Sequence, residues 1–278
     1  MQRVLASLVA LALAVVVLAS PPGVEAKPRP RPSPTPTPTA RPTPTPPAPS
    51  PTPTATVTPT PAPTATPTNL DGIDVSYHQG TIDWRQVAAA GKRFTFVRTS
   101  AGTLTADTSY ATNQAGARAA GLTVGSYHYA NPDTAPNDAS NEAAWFLRNA
   151  TIASGDLVPV LDIEVSNGLD AASLTVWAQT WLEQVHAATG LRAIIYTNPS
   201  FWQTSMADTE WFARNGYPVL WIAHWTTASQ PIVPAVDWAG KGWTFWQHSS
   251  MGAVPGISGA VDLDRFRGAS FPSWLLVP

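Results

Sequence analysis

The chain has 278 residues, with 29 prolines, 12 tryptophans and no cysteine. Without cysteine there is no disulfide scaffold, zinc-thiolate site, iron–sulfur cluster or cysteine nucleophile, although export remains compatible because a domain of this size can be stable without disulfides. The net charge of −2 is unevenly spread, the part from residue 69 onward holding 11 basic and 17 acidic residues, so no basic face for nucleic acid is expected.

Residues 1–26 read as a secretory signal peptide. Arg3 supplies the positive start, Val4 to Ala19 is an apolar run broken only by Ser7, and Val24-Glu25-Ala26 offers a cleavage site. The 16-residue run is short for a membrane span, so cleavage is expected over retention as an anchor. No stable membrane insertion should follow, and either way the rest lies outside the cytoplasm, secreted or associated with the cell wall. Residues 27–68 hold 17 of the 29 prolines, with repeated Thr-Pro pairs. Proline removes the amide donor and fixes φ, so neither helix nor sheet can form. A disordered, polyproline II-like linker reaching up to about 130 Å is expected, with threonines that are candidates for O-linked sugars.

Residues 69–278 are long enough for one large domain. Strands are predicted over 72–77, 94–99, 123–129, 157–164, 192–197, 218–224, 244–248 and 261–264. Helices are predicted over 83–91, 108–120, 137–150 and 171–189, with a further one near 200–215. Gly91, Gly121 and Gly190 stand where helix C-terminal caps belong. Strands alternating with helices imply parallel βαβ units, and eight of them imply a closed α/β barrel. The alternative, an open doubly wound sheet, would want a glycine-rich phosphate turn after the first strand, where Asp-Val-Ser-Tyr-His-Gln stands instead. Residues 225–243 show little periodicity, so the TIM-like barrel is expected to be regular early and irregular late.

In a parallel barrel the active site lies at the C-terminal ends of the strands. Acids gather there: Asp74 on the first strand, Asp162 and Glu164 on the fourth, Asp262 and Asp264 on the eighth. Residues two apart share a face, so Asp162 and Glu164 point the same way about 7 Å apart, with Ile163 turned outward. Carboxylates converging on one mouth repel, and at least one should keep a proton near neutrality. Glycosidic cleavage uses such a set, a protonated carboxyl for the leaving oxygen and an ionised one for the charge at the anomeric carbon. A helix cap or an arginine partner would account for a lone acid; acids at matching strand ends favour a site.

These residues resemble a known family. Asp71-Gly-Ile-Asp-Val-Ser-Tyr-His-Gln-Gly80, followed by Ile82-Asp83-Trp84, is similar to the opening strand of glycoside hydrolase family 25, the Chalaropsis-type lysozymes. The likeness continues through Asp107, Asn113, Gly121–Tyr129, Pro159–Glu164, Ile195–Asn198, Leu220–Ala223, Trp246-Gln247 and Val261–Phe266, and covers essentially all of 69–270. It implies a barrel of eight strands and about five helices, and an N-acetylmuramidase that hydrolyses the β-1,4 bond between N-acetylmuramic acid and N-acetylglucosamine in bacterial peptidoglycan. Carried over by position, Glu164 matches the general acid, and Asp74, Asp162 and Asp262 match the other cleft acids. The match leaves open whether one of these acids attacks directly or the substrate's own N-acetyl group does; the Asp-x-Glu pair resembles that of substrate-assisted chitinases, in which the Asp orients the acetamido group and no enzyme nucleophile is needed. Where family members often read Ala-Thr-Glu-Gly, Thr99-Ser-Ala-Gly102 stands here, so an acid is missing at that rim.

Apolar ring faces suit the C–H faces of sugars, which makes Tyr77, Tyr127, Tyr129, Trp221 and Trp246 candidates for substrate binding, together with Gln247. Trp145, Trp177, Trp181 and Trp211, within helical stretches, are assigned to packing. His78 and His128 lie near strand ends, but no pair of histidines has a metal-ligand spacing. No metal or cofactor is expected, and the chain is expected to act as a monomer on glycan strands. The competing readings are a wall-binding barrel that grips glycan without cutting it, and a related glycosidase acting on chitin.

Overall fold

The computed structural model describes residues 69–278; the signal peptide and linker expected over 1–26 and 27–68 lie outside the described residues. In chain order the elements are β1 Leu70–Val75, α1 Trp84–Ala89, β2 Phe94–Ala101, β3 Thr105–Ala106, α2 Tyr110–Ala119, β4 Thr123–Tyr129, α3 Asp138–Asn149, β5 Val160–Asp162, α4 Ala171–Thr189, β6 Ile194–Thr197, α5 Pro199–Ser205, α6 Trp211–Arg214, β7 Leu220–Ala223, α7 Pro234–Gly240, β8 Phe245–Gly252 and β9 Val261–Phe266. Helix starts are fixed by side chains that satisfy free amides. Asp83 accepts from Arg85 N and Gln86 N at the start of α1, Asp170 from Ser173 N at α4, and Asn198 from Phe201 N at α5.

Eight strands close into a barrel, because β1 pairs with β2 on one side and β9 on the other; β3 is a short hairpin partner added to the end of β2. Seven barrel strands are mutually parallel. The eighth, β9, runs antiparallel to both β8 and β1. The sequence reading had all strands parallel, but β8 and β9 are joined by residues 253–260 alone, too short for a helical crossover. Seven α-helical segments are present among the described residues, against the five expected. The stretch expected near 200–215 divides into α5 and α6. The short α7 was not expected, and its residues Ala235–Ala239 have left-handed dihedrals, which no right-handed helical periodicity would signal.

Period-two alternation sorts the strand residues into layers. Inside the barrel lie Phe94, Phe96, Val160, Ile194, Trp221, Phe245 and Phe266. Outside, Leu161, Ile163, Ile195 and Ile222 pack beneath α3 and α4 with Phe146, Trp177 and Trp181, while Ile73, Val75, Val97 and Val124 pack with Trp84, Val87 and Ala117 of α1 and α2. Two inward positions must be glycine for the aromatic floor to fit. A Cβ on Gly72 would stand 2.4 Å from the Phe94 ring, and one on Gly125 2.4 Å from that of Phe96. With those rings seated, Phe96 stacks on Trp221 at 4.2 Å between centroids, and this aromatic plug supports the polar layer above it.

Candidate active site

Above the plug, inward-facing side chains turn polar. A cavity of about 280 Å³ at the mouth is lined by Asp74 of β1, Arg98 of β2, Tyr127 and Tyr129 of β4, Asp162 of β5, Tyr196 of β6, Trp221 of β7, Gln247 of β8 and Asp262 of β9, with Glu164 just beyond β5. All four acids proposed from the sequence are therefore brought together. Ile163 between Asp162 and Glu164 is fully buried in the outer layer, as alternation requires. The reversed β9 explains how its acids arrive: the strand begins at the mouth, so Asp262 pairs with Asp74, and Asp264 lies one step deeper opposite Gly72.

Gln247 is the hub of the polar layer. Its Oε1 accepts from Tyr196 Oη at 3.2 Å and from Trp225 Nε1 at 3.0 Å. Two donors on the oxygen fix the amide orientation, so Nε2 faces Asp74 and donates to its Oδ2 at 2.7 Å. Trp221 Nε1 donates to Asp264 Oδ1 at 2.8 Å. Asp264 Oδ2 is buried and meets no donor, and the charge of Asp264 helps to raise the neighbouring Asp74, an arrangement that favours retention of a proton by the pair. On the opposite wall, Asp107 Oδ2 accepts from Arg98 Nε at 3.0 Å and from Tyr77 N at 3.0 Å, tying β2 to the turn after β1.

Burial dominates the electrostatics. It pushes Asp74 well above the ordinary carboxylate range, helped by the charges of Asp264 and Asp262 and opposed by the Gln247 hydrogen bond. Burial and then Glu164 raise Asp162, against the pull of Arg98. Glu164 is raised by burial and then by Asp262, which burial itself lifts to about 6. Asp264 is raised by burial above all. Near neutrality such a cluster holds protons that isolated carboxyls would have lost. Asp162 Oδ1 is buried and no protein donor reaches it. A buried acceptor of this kind, aimed at a cavity, is ready for a ligand N–H.

The substrate-binding candidates divide. Tyr127, Tyr129, Trp221 and Gln247 line the cavity, though Trp221 is 1% exposed and forms its floor. Trp246 does not reach it. On β8 the inward residues are Phe245 and Gln247, so the Trp246 ring turns outward into the helix layer and its Nε1 donates to His224 O at 2.8 Å. Tyr77 lies at the rim with its ring beneath the Arg98 guanidinium at 4.9 Å. His78 lines the cavity, whereas His128 faces outward, bonded through Nε2 to Glu142 at 2.8 Å and through Nδ1 to Ser100 Oγ at 2.8 Å. Arg98, Tyr196 and Trp225 were missed. The first two continue the inward alternation of Phe94-Phe96 and of Ile194, so that signal was present; Trp225 sits in a loop with no period to reveal it.

A barrel whose mouth gathers these carboxyls around an Asp-x-Glu pair is a glycoside hydrolase. The chain belongs to the glycosyl hydrolases family 25, whose model matches residues 73–257. It is 34% identical over 215 residues to Lysozyme M1 of Streptomyces globisporus, covering 73% of this chain and 69% of that protein. It is 29% identical over 209 residues to the N,O-diacetylmuramidase of Chalaropsis sp, covering 69% and 96%. The crystal structure of the bacterial lysozyme from Streptomyces coelicolor superposes with a TM-score of 0.65 at 33% identity, over 72% of this chain and 92% of that one.

Proposed function

We propose that the chain is an exported lysozyme that hydrolyses the β-1,4 bond between N-acetylmuramic acid and N-acetylglucosamine in peptidoglycan. It acts as a monomer, outside the cell or within the wall, carried there by the N-terminal signal and held at a distance by the linker. The observation that carries the reading is the Asp162–Glu164 pair at the mouth of an acid-lined cavity, with Glu164 raised by burial and by Asp262.

Glu164 in its protonated form donates to the departing glycosidic oxygen. Asp162 Oδ1 accepts the N–H of the substrate's own acetamido group and aligns its carbonyl oxygen on the anomeric carbon. As the glycosidic C–O bond breaks, that oxygen closes a five-membered ring onto the carbon, and the positive charge is stabilised by Asp162 and the neighbouring carboxyls. Water then opens the ring with Glu164, now ionised, as base, which restores the acetamide and retains the configuration. Asp74, held by Gln247, and Asp262 set the charge of the cleft. Tyr127, Tyr129 and Gln247 bound the space for the sugar.

The Glu164→Gln variant tests this reading. It should keep the fold and lose about 10²- to 10⁴-fold in kcat, read as reducing-end release from purified peptidoglycan, with the new reducing sugar identified by mass spectrometry. Full activity in the variant would remove Glu164 from the role, and cleavage of chitin oligomers but not of peptidoglycan would change the substrate. Retention of all four acids favours cutting over binding alone, and wild-type protein that binds wall but releases no reducing ends would reverse that.

A further inference from the structure

Among the described residues no α-helix joins β8 to β9 and none follows β9, so this side of the barrel lacks the usual helical cover. Register sets the outward row that is left. Arg265 of β9 stands between Trp246 of β8 and Asp71 of β1, and Arg93, at the start of β2, donates its N–H to Asp71 O at 2.8 Å. Alternation places Arg267 one outward step beyond Arg265. The Arg265 guanidinium lies over the Trp246 ring at 6.0 Å and that of Arg267 over the Trp243 ring at 5.4 Å. Arg267 Nη2 also donates to Lys241 O at 2.9 Å. Lys92 is close enough to Asp71 and Arg265 for both charges to act on it.

Five of the 11 basic residues of the domain, Lys92, Arg93, Lys241, Arg265 and Arg267, thus form one strip, although acids outnumber bases 17 to 11 over the same domain. Even with Asp71, bonded to Arg265 at 3.4 Å, and Asp237, four residues before Lys241, a surplus of three positive charges remains. The strip lies where β1 begins and β9 ends, at the closed end of the barrel and away from the acid-lined mouth. We propose that it is a docking surface for a linear phosphodiester polymer of the cell wall, which it grips while the cleft works on glycan. The proposal rests on export to the wall and not on cleavage.

Charge, spacing and shape favour that partner. Guanidinium groups present paired N–H donors that match phosphate oxygens. From Arg265 the strip runs about 7 Å along β9 to Arg267 and about 10 Å across β1 to Arg93. A lone carboxylate or headgroup would meet one of these cations, whereas a chain charged at every repeat meets them together. The strip also bends with the barrel wall, which suits a flexible chain and lets a flat bilayer touch only part of it. Its two indoles, Trp243 and Trp246, are buried beneath the guanidiniums, so the strip offers no apolar ring to a membrane.

The test is titration calorimetry of the full chain with synthetic poly(glycerol phosphate) at low salt. Wild type should bind, with an affinity that falls as salt rises. The double variant Arg93→Gln/Lys241→Gln removes two exposed cations of the strip and should raise Kd by about fivefold or more. Arg148→Gln/Arg214→Gln makes the same change of net charge at exposed positions on α3 and α6 and should stay within about twofold of wild type. Reducing-end release from polymer-free glycan should be unchanged in both. No binding by wild type, or an equal rise in Kd in the two double variants, overturns the strip. Tighter binding to phosphatidylglycerol vesicles or to single-stranded DNA than to the polymer overturns the choice of partner. Wild-type protein that binds the polymer through the strip but cuts no glycan upholds the docking surface and overturns the lysozyme reading instead.

Discussion

Replacing Gln247 with leucine nearly conserves volume and deletes a hydrogen-bonding hub, so its cost follows from the three groups it abandons. Asp74 Oδ2 and Tyr196 Oη bond to it at 2.7 and 3.2 Å, and both residues are 6% exposed. Water does not reach them freely. Trp225 Nε1 bonds at 3.0 Å from a residue that is 60% exposed, so solvent takes over that contact. A buried polar group stranded without a partner costs about 1–3 kcal/mol. Two such groups give about 2–6 kcal/mol, and retention of a proton by Asp74 trims the upper end, so a net loss of about 2–5 kcal/mol is expected in urea unfolding. In a domain of this size that lowers Tm by on the order of 10 °C. Trp225→Phe, which removes only the solvent-replaceable bond, should cost less than about 1 kcal/mol. The assay is paired urea and thermal unfolding of wild type and both variants. A Gln247→Leu midpoint indistinguishable from wild type, or a Trp225→Phe loss as large as that of Gln247→Leu, would refute the accounting.

The Asp262→Asn variant removes the charge that, after burial, raises Glu164. Glu164 then loses its proton at lower pH, so the alkaline limb of the activity profile should move to lower pH, and a limb that stays put would show Asp262 does not act on it. Stability itself should depend on pH. Asp74, Asp162 and Asp264 are raised in the fold, and Asp262 is raised to about 6. Raised carboxyls stabilise most below their unfolded pKa and lose that contribution as pH climbs through the folded value. From about pH 4 upward, through the value of about 6 for Asp262, these groups therefore push Tm downward with rising pH, a trend that should flatten in Asp262→Asn when measured by scanning calorimetry. Trp246→Ala should cost about 3–5 kcal/mol of stability as a core truncation with KM for glycan unchanged, because the ring lies outside the barrel; a large rise in KM would place it at the substrate.

Much of the barrel was legible because it is written in period-two alternation broken by helix caps. The third predicted strand, 123–129, coincides with β4, and the helix over 171–189 with α4. The fourth predicted strand ran to Glu164, but pairing ends at Asp162, because strand bounds depend on the partner's reach and not only on the strand's own residues. Asp162 and Glu164 nevertheless point as alternation said. Trp246 was misjudged because proximity to a strand end was weighed above the parity that Phe245 and Gln247 set. Trp225 depends on how residues 224–232 fold back on α5, a long-range packing that leaves no local pattern.

The reversed last strand is what turns a mouth with three acids into a proton-holding cluster. In a wholly parallel barrel, Asp262 would begin its strand at the closed end, on the side of the aromatic plug. Because β9 returns from β8 in the opposite sense, the same residue begins at the open end, where it pairs with Asp74 and its charge reaches Glu164. Asp264 follows inward and is fully buried, with Trp221 Nε1 donating to its Oδ1. Burying these acids opposes stability, and the Gln247 and Trp221 hydrogen bonds offset part of that. What the arrangement gains is a Glu164 that burial, and then a neighbour on the last strand, push toward the protonated form. A general acid has to be in that form near its working pH, so the irregularity of the barrel and its chemistry have a common origin in the direction of one strand.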